Sequence, residues 1–215
     1  MSRGALNRML VEGQEDKFSI IQLMKHHIDW PEDKSLYPVT IELGGSAEEI
    51  LARGFLTTKL KSSEVNILGV VLDADDNCDE RWNRLRTLCI GLFPEMPAKL
   101  PATGLIVDND DGKRFGAWMM PDNLSRGMLE TFLRFLVPEM SEPILLHAKA
   151  SLSTAREKGA PCRECHVDKA LIHTWLAWQD PPGESFGRAL TRKILDPHAA
   201  AAKPFVKWFS SLYRI

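Results

Sequence analysis

The chain has 215 residues, of which 44% are hydrophobic and 26% are charged, and its formal net charge is −2. This composition is typical of a soluble globular protein with one large domain, or one domain with an extension. The small net charge excludes a global basic field for nucleic acid, although a metal site could still recruit phosphate locally. No apolar run reaches the roughly 18 residues of a membrane span. The N-terminal residues lack the features of a secretory signal, so we expect a cytoplasmic protein.

The first half of the chain alternates between strand and helix patterns. Short apolar runs predict strands, and apolar residues repeating every three or four positions predict helices. Ser46 and Glu49 form a capping box before the second helix, and Asn77 or Asp79 can cap the third. The near-continuous apolar third strand is typical of a parallel sheet covered on both faces. In chain order, these elements are strand 7–11, helix 15–27, strand 39–43, helix 47–60, strand 65–72 and the helix that follows Asn77.

The second half adds a hairpin and then only helices. Residues 93–103 form a proline-rich connector. The turn Asn109–Gly112 predicts a hairpin between its flanking strands. The predicted elements are strands 104–107 and 115–119, followed by helices 126–137, 144–158, 167–179, 187–194 and 199–213. This order predicts an α/β core at 6–137 with a helical extension at 138–215 packed on it.

The four cysteines are Cys78, Cys89, Cys162 and Cys165. Cys162-Arg-Glu-Cys165-His166 has the spacing of a c-type haem attachment motif, but that attachment requires an exported chain. A polar loop with two free thiols is the preferred interpretation, because no second cysteine pair of suitable spacing completes a zinc site. Structural zinc at Cys162 and Cys165 stays open as an alternative.

Two predicted strands end in carboxylates. Glu12 follows the first strand, and Asp73 with Asp75 follows the third. Sites in open α/β sheets form at the carboxyl ends of strands. If the strand geometry persists, Asp73 and Asp75 point to the same face, and Asp16 lies one helical turn beyond Glu12. Clustered carboxylates suit Mg²⁺ or Mn²⁺. The alternative is that these acids only form turns and helix caps.

The acidic pattern resembles a known domain. Leu10-Val11-Glu12-Gly13-x-x-Asp16, followed by a hydrophobic strand ending in Asp73-Ala74-Asp75, resembles the Toprim domain of topoisomerases, primases, recombination proteins and nucleases of the overcoming-lysogenization-defect type. The closer resemblance is to small stand-alone bacterial Toprim-like proteins of unassigned function. It covers most of the chain and includes segments 118–123, 127–130 and 168–175.

The resemblance implies a Rossmann-like core with a mostly parallel sheet flanked by helices, and it implies roles for six residues. Glu12 looks like the Toprim glutamate, which binds metal or acts in acid–base steps. Asp73 and Asp75 look like metal ligands, whereas Asp16 and Glu130 look like acids of a second metal site. Lys169 looks like a lysine near the scissile phosphate.

These residues predict a nuclease-type phosphodiesterase that uses one or two Mg²⁺ or Mn²⁺ ions on DNA or RNA. The chain has no glycine-rich phosphate loop, so a separate ATPase partner is compatible with this function. The alternative is a non-catalytic Toprim-fold regulatory module in a larger complex, such as a phage-defence assembly, and a third is a purely structural protein. His26 and His27 are interpreted as cap or surface residues, and Trp175 and Trp178 as core or homodimer-interface residues.

Overall fold

The fold is described from a computed structural model, which describes residues 6–215. It contains five strands, namely β1 (Asn7–Val11), β2 (Thr40–Leu43), β3 (Ile67–Asp73), β4 (Leu105–Asp108) and β5 (Arg114–Met120). They form one sheet in the order β2-β1-β3-β5-β4. All neighbouring pairs are parallel except the β4–β5 hairpin. The predicted α/β class with a mostly parallel sheet flanked by helices is therefore confirmed.

Helices cover both faces of this sheet. In chain order they are α1 (Gln14–Met24), α2 (Ala47–Ile50), α3 (Phe55–Lys61), α4 (Cys78–Cys89), α5 (Leu129–Arg134), α6 (Glu142–Glu157), α7 (Val167–Leu176), α8 (Phe186–Thr191) and α9 (Ala202–Tyr213). Short 3₁₀ turns occupy Lys34–Leu36, Glu139–Ser141 and Glu164–His166. Within the described part of the chain, no helix is both long and apolar enough to cross a bilayer.

Two apolar cores lie on opposite sides of the sheet. One packs α1, α5, α7, α8 and α9 against residues such as Met9 and Val71, and the other packs α2, α3 and α4 against Leu10 and Val70. The alternation of neighbouring strand residues between the two cores follows from the pleat. Helices after residue 138 therefore complete one core of the sheet. This packing also places the odd-numbered side chains of β3, ending with Asp73, on the α1 and α5 side.

Two predicted helices are shorter than expected because glycines interrupt them. The predicted helix 47–60 is in fact α2 and α3, separated at Gly54, whose φ of +91° is left-handed. The predicted helix 126–137 begins only at Leu129, because Gly127 has a φ of +140°. Both glycines adopt backbone conformations that an α-helix cannot contain.

Candidate active site

Glu12 accepts hydrogen bonds from two elements that meet at the carboxyl edge of the sheet. Strands β1 and β3 are parallel neighbours, so Glu12 and Asp73 leave them side by side. Asp73 N donates to Glu12 Oε1 over 2.9 Å, and Ala47 N at the start of α2 donates to Glu12 Oε2 over 3.0 Å. Burial raises the pKa of Glu12, while these two hydrogen bonds and the charge of Arg81 act in the opposite direction.

Asp16 lies in the first turn of α1 and caps that helix. Its Oδ2 accepts a hydrogen bond of 3.0 Å from Gly13 N, which satisfies one of the free backbone donors of the helix start. Burial, followed by the negative charge of Glu12, raises the pKa of Asp16 from 3.8 to about 6. The carboxylate therefore occupies a site where its charge is disfavoured.

Asp73 is the last residue of β3 and faces the start of α5. Its Oδ1 accepts a hydrogen bond of 2.9 Å from Leu129 N. Burial, then the charges of Asp16, Glu12 and Glu130, raise the pKa of Asp73 well above its ordinary value. Asp16, Asp73 and Glu130 line one cleft, where like charges repel and favour the protonated form of Asp73.

Glu130 and Lys169 complete this group. Glu130 lies in the first turn of α5 with a side chain that is only 7% exposed, and its Oε1 is 2.8 Å from Lys169 Nζ on α7. The hydrogen bond to Glu130 raises the pKa of Lys169, and the charges of Asp73 and Asp16 act in the same direction. Lys169 is 54% exposed, so its ammonium group can leave this pairing without crossing the protein interior.

These groups line a cleft of about 390 Å³, which we call the acid cleft. Its walls come from the start of α1, the end of β3, the start of α5 and the start of α7. The lining residues are Gly13, Gln14, Glu15, Asp16, Asp73, Met128, Leu129, Glu130, His166 and Lys169. Glu12 does not line the cleft, and two backbone donors hold its carboxylate. The region thus contains five carboxylates, those of Glu15, Asp16, Asp73 and Glu130 in the cleft and that of Glu12 nearby, and one ammonium group.

Asp75 does not line the acid cleft with Asp73. Strand β3 ends at Asp73, and Asp75 has a left-handed φ of +50°, so the strand alternation expected from the sequence does not reach it. The carboxylate of Asp75 forms an ion pair with Arg81 of α4 and is 51% exposed. Its backbone exchanges hydrogen bonds of 2.9 and 2.8 Å with Gly127. Asp75 lines an adjoining cleft of about 620 Å³ together with Asp76 and Arg126.

Sequence reasoning missed two features of this region. Arg81, which pairs with Asp75 and favours the charged form of Glu12, carries no motif of its own and becomes visible only when α4 is placed against the sheet. The second feature is the backbone N–H groups of Ala47 and Leu129 at helix starts, which donate hydrogen bonds to Glu12 and Asp73. Helix-cap patterns could have indicated the first of these donors.

The donor set of the acid cleft fits a hard divalent cation in its chemistry. Asp16, Asp73 and Glu130 supply carboxylate oxygens, which Mg²⁺ and Mn²⁺ prefer. Across residues 6–215, however, no three His, Cys, Asp or Glu side chains already stand in an arrangement that could hold a metal ion. A metal in the cleft would therefore require side-chain movements, including release of Glu130 by Lys169.

The remaining sequence candidates have separate locations. All four cysteines are free thiols; Cys165 lines the adjoining cleft and His166 the acid cleft. His26 and His27 lie in the turn after α1, and their Nε2 atoms donate to Leu190 O and Pro197 O over 3.1 and 2.8 Å.

Trp175 is buried in the core, as one of the two expectations for it stated. Trp178 is 45% exposed, and its ring lies 5.3 Å from that of His147.

The fold and the acid cleft define an α/β protein with a carboxylate cluster at the carboxyl edge of a mostly parallel sheet. A family model described as "Protein of unknown function (DUF3226)" matches residues 6–214. The chain therefore belongs to the DUF3226 family. Comparisons with curated proteins and with solved structures return no match.

Proposed function

We propose that the acid cleft binds Mg²⁺ or Mn²⁺ and that the protein is a Toprim-type phosphodiesterase acting on nucleic acid. One observation carries this proposal: Asp16, Asp73 and Glu130 converge on a single cleft, and the pKa values of both aspartates are raised. Carboxylates brought together in this way repel unless protons or cations neutralise them. The repulsion lowers the stability of the metal-free protein, and carboxylates perturbed in this way in a cleft indicate a functional site such as a cation site.

The topology also supports the Toprim assignment. Glu12 directly follows β1 and Asp73 ends the adjacent parallel strand β3, as a resemblance based on Leu10–Gly13 and Asp73–Asp75 requires. The hydrogen bond from Asp73 N to Glu12 Oε1 fixes the two residues relative to each other. Glu12 thus positions the end of β3, with oxygen lone pairs left over for a proton or a cation.

Asp16, Asp73 and Glu130 would hold the cation, and Asp75 would join only by leaving Arg81. When bound, the ion would polarise a phosphoryl oxygen of the substrate. Lys169, released from Glu130, would direct its ammonium group at the phosphate and stabilise negative charge there. Leu129 N keeps Asp73 oriented throughout through its hydrogen bond to Oδ1.

Calorimetric titration with Mg²⁺ and Mn²⁺ tests the metal site. We expect wild-type protein and the Asp110→Asn control, which alters an exposed turn acid, to bind the ions alike. Asp73→Asn should bind at least about tenfold more weakly, because it removes a charged ligand. Wild-type protein that binds neither ion, or Asp73→Asn with unchanged affinity, would contradict the site.

Cleavage is tested separately with labelled single-stranded and double-stranded DNA and RNA. We expect product in Mg²⁺ or Mn²⁺, none in EDTA, and none with Asp73→Asn, whereas Asp110→Asn should retain activity. The assay is repeated with candidate ATPase partners, because the chain has no phosphate-binding loop of its own.

A second candidate function is a non-catalytic regulatory module in a larger complex. The Lys169–Glu130 and Arg81–Asp75 ion pairs favour it, because both acids already have internal counter-ions. A module of this kind would show no turnover with either metal or any partner. Its oligomeric state, including a homodimer, would then be measured by light scattering in the presence and absence of nucleic acid.

A further inference from the structure

A surface beside the acid cleft has features of a nucleic-acid contact. Helices α1 and α8 lie parallel: a Cβ added at Gly187 would meet Phe18 Cβ at 3.4 Å, Thr191 Oγ1 donates to Gln22 Oε1 over 3.0 Å, and His26 donates to Leu190 O. We call the outer face of this helix pair the α1–α8 seam. Its residues are Phe18, Gln22, Arg188, Thr191 and Arg192.

The seam begins at the acid cleft. Gln14 and Glu15 in the first turn of α1 line that cleft. Phe18 is four residues after Gln14, so it lies on the same face of α1, about 6 Å further along the helix axis. A chain bound along the seam would therefore reach the acid cleft without a turn in its path.

Two arginines, Arg188 within α8 and Arg192 directly after its last residue, contact a glutamate through Nε and leave their terminal nitrogens free. Glu184, whose side chain is 7% exposed, contacts Arg188 Nε through Oε2 at 2.7 Å and Arg192 Nε through Oε1 at 3.3 Å. The two arginines are 66% and 49% exposed. Among residues 6–215, no hydrogen bond involves the terminal Nη atoms of either one. The buried carboxylate thus holds both arginines through Nε and leaves their Nη donors available to bind anions.

The charge balance of the seam contrasts with that of the acid cleft. Residues 184–193 carry three cationic side chains, Arg188, Arg192 and the exposed Lys193, and one acid, Glu184, whose side chain is buried. A positively charged surface next to a negatively charged cleft can hold the phosphates of a chain that the cleft itself would repel. This separation is consistent with an overall charge of only −2.

Phe18 adds a contact for bases. Phe18 is 50% exposed, so part of its ring is open to solvent. An exposed ring beside arginines can stack on an unpaired base. We propose that the α1–α8 seam binds single-stranded nucleic acid, with Arg188 and Arg192 on phosphates and Phe18 on a base; the choice of ligand rests on the proposed function.

Fluorescence anisotropy with labelled 20-nucleotide oligo(dT) and oligo(U) tests the seam, in EDTA so that binding is measured without cleavage. We expect Arg188→Gln/Arg192→Gln to weaken binding about tenfold or more. We also expect the slope of log affinity against log salt to become shallower by about 1.4, since two phosphate contacts are lost. Phe18→Ala should weaken binding about fivefold or more with an unchanged salt slope, because stacking is uncharged.

Each control variant makes the same kind of change at a surface position outside the seam. Lys203→Gln/Lys207→Gln removes two exposed charges from α9, and Phe135→Ala removes another exposed ring; both should bind like wild type. Wild-type protein without salt-dependent binding, or seam variants that bind like these controls, would overturn the inference. If the double arginine variant unfolds, Arg192→Gln and Phe18→Ala decide between the same outcomes.

Failure of the seam and failure of the proposed function are distinguishable. Asp73→Asn should lose cleavage but keep oligonucleotide binding in EDTA. Wild-type protein that binds through the seam without cleaving retains this inference and refutes the phosphodiesterase function. If wild-type protein cleaves nucleic acid but the seam variants bind oligonucleotides as tightly as wild type, the phosphodiesterase function is retained and this inference is refuted. Tighter binding of oligo(dT) or of oligo(U) identifies DNA or RNA as the ligand.

Discussion

Lys169 Nζ lies 2.8 Å from Glu130 Oε1, and this ion pair joins α7 to α5 at the acid cleft. The two helices are also connected through Asp168, which accepts a hydrogen bond of 2.7 Å from Thr131 Oγ1 and pairs with Arg134 at 2.8 Å. Glu130 is nearly inaccessible, whereas Lys169 is half-exposed. The pair therefore serves mainly to neutralise a buried carboxylate.

Removing the lysine should destabilise the metal-free protein. We expect Lys169→Met to lower the free energy of unfolding by about 1–2 kcal/mol at pH 7, because Glu130 loses its counter-ion while partial exposure of the pair limits the cost. Urea unfolding measures the effect. Lys149→Met, at an exposed α6 lysine, should be neutral, and adding Glu130→Gln to Lys169→Met should restore most of the loss. Unchanged stability in Lys169→Met would show that the ion pair contributes nothing.

Asp16 should make stability fall as pH rises. Its folded pKa of about 6 lies above the ordinary 3.8, so the folded state binds the proton more tightly than the unfolded state. The stabilisation from this proton is present below about pH 4 and is lost as pH rises through about 6. Asp16→Asn removes the repelling charge and should stabilise the metal-free protein by about 1–3 kcal/mol at pH 7, with little effect at pH 4.

Urea unfolding at intervals from pH 4 to pH 7 measures this dependence. Asp110→Asn should show the wild-type profile. Saturating Mg²⁺ should reduce or reverse the difference in the free energy of unfolding between Asp16→Asn and wild type, because the ion stabilises only a folded state that retains its ligands. A wild-type profile for Asp16→Asn would show that its carboxylate is not under strain in the cleft.

Much of the fold was predictable because local patterns agreed with the tertiary structure. The apolar third strand, the Ser46 capping box and the Asn109–Gly112 turn each correspond to an element of the structure. Asp73 and Glu12 were predictable as neighbours because parallel strands end at the same edge. These inferences depended on residues that act within their own segment.

Other features depended on distant residues and were not predictable. Asp75 leaves the strand geometry because its backbone pairs with Gly127, which is 52 residues further along the chain, while its side chain pairs with Arg81 of α4. The interpretation of His26 and His27 as cap or surface residues did not foresee His198, whose ring lies 6.0 and 4.8 Å from theirs. Such contacts arise only when the helices are packed.

This histidine cluster should make the protein sensitive to mild acid. Burial lowers the pKa of His26 below 6.5, and the positive charges of His198 and Lys193 act in the same direction. The hydrogen bond to Leu190 acts in the opposite direction. The unfolded state then binds the proton more tightly, so the contribution of His26 is present above about pH 6.5 and is lost as pH falls through the folded pKa. The sign is opposite to that of Asp16.

His26→Gln should therefore reduce the loss of stability between pH 7 and pH 5, by on the order of a few tenths of a kcal/mol after solvent screening. Glutamine keeps a donor for Leu190 O without titrating. Combining it with Asp16→Asn removes the opposing acid contribution and isolates the histidine effect in urea unfolding. An identical slope with and without His26→Gln would show that the cluster does not respond to pH in this range.

The docking of α9 on the sheet depends on Gly116, which leaves room for Leu212. A Cβ at Gly116 would lie 2.5 Å from Leu212 Cδ2 and 2.7 Å from Cδ1. Leu212 is fully buried between contacts that hold the helix, since Tyr213 Oη donates to Arg8 O over 2.8 Å and Trp208 Nε1 to Leu105 O over 2.9 Å.

Gly116→Ala should destabilise the protein by about 1–3 kcal/mol through overpacking, which corresponds to a fall in Tm of about 3–10 °C in a chain of this size. Scanning calorimetry measures it. Gly91→Ala is the matched control, because a Cβ there meets no atom within 4 Å, and it should change stability by less than about 0.5 kcal/mol. Leu212→Ala opens space beside residue 116, so it should cost less in the Gly116→Ala background than in wild type. Additive costs in the double variant would mean that the added methyl group is accommodated elsewhere, and that α9 is not positioned by this contact.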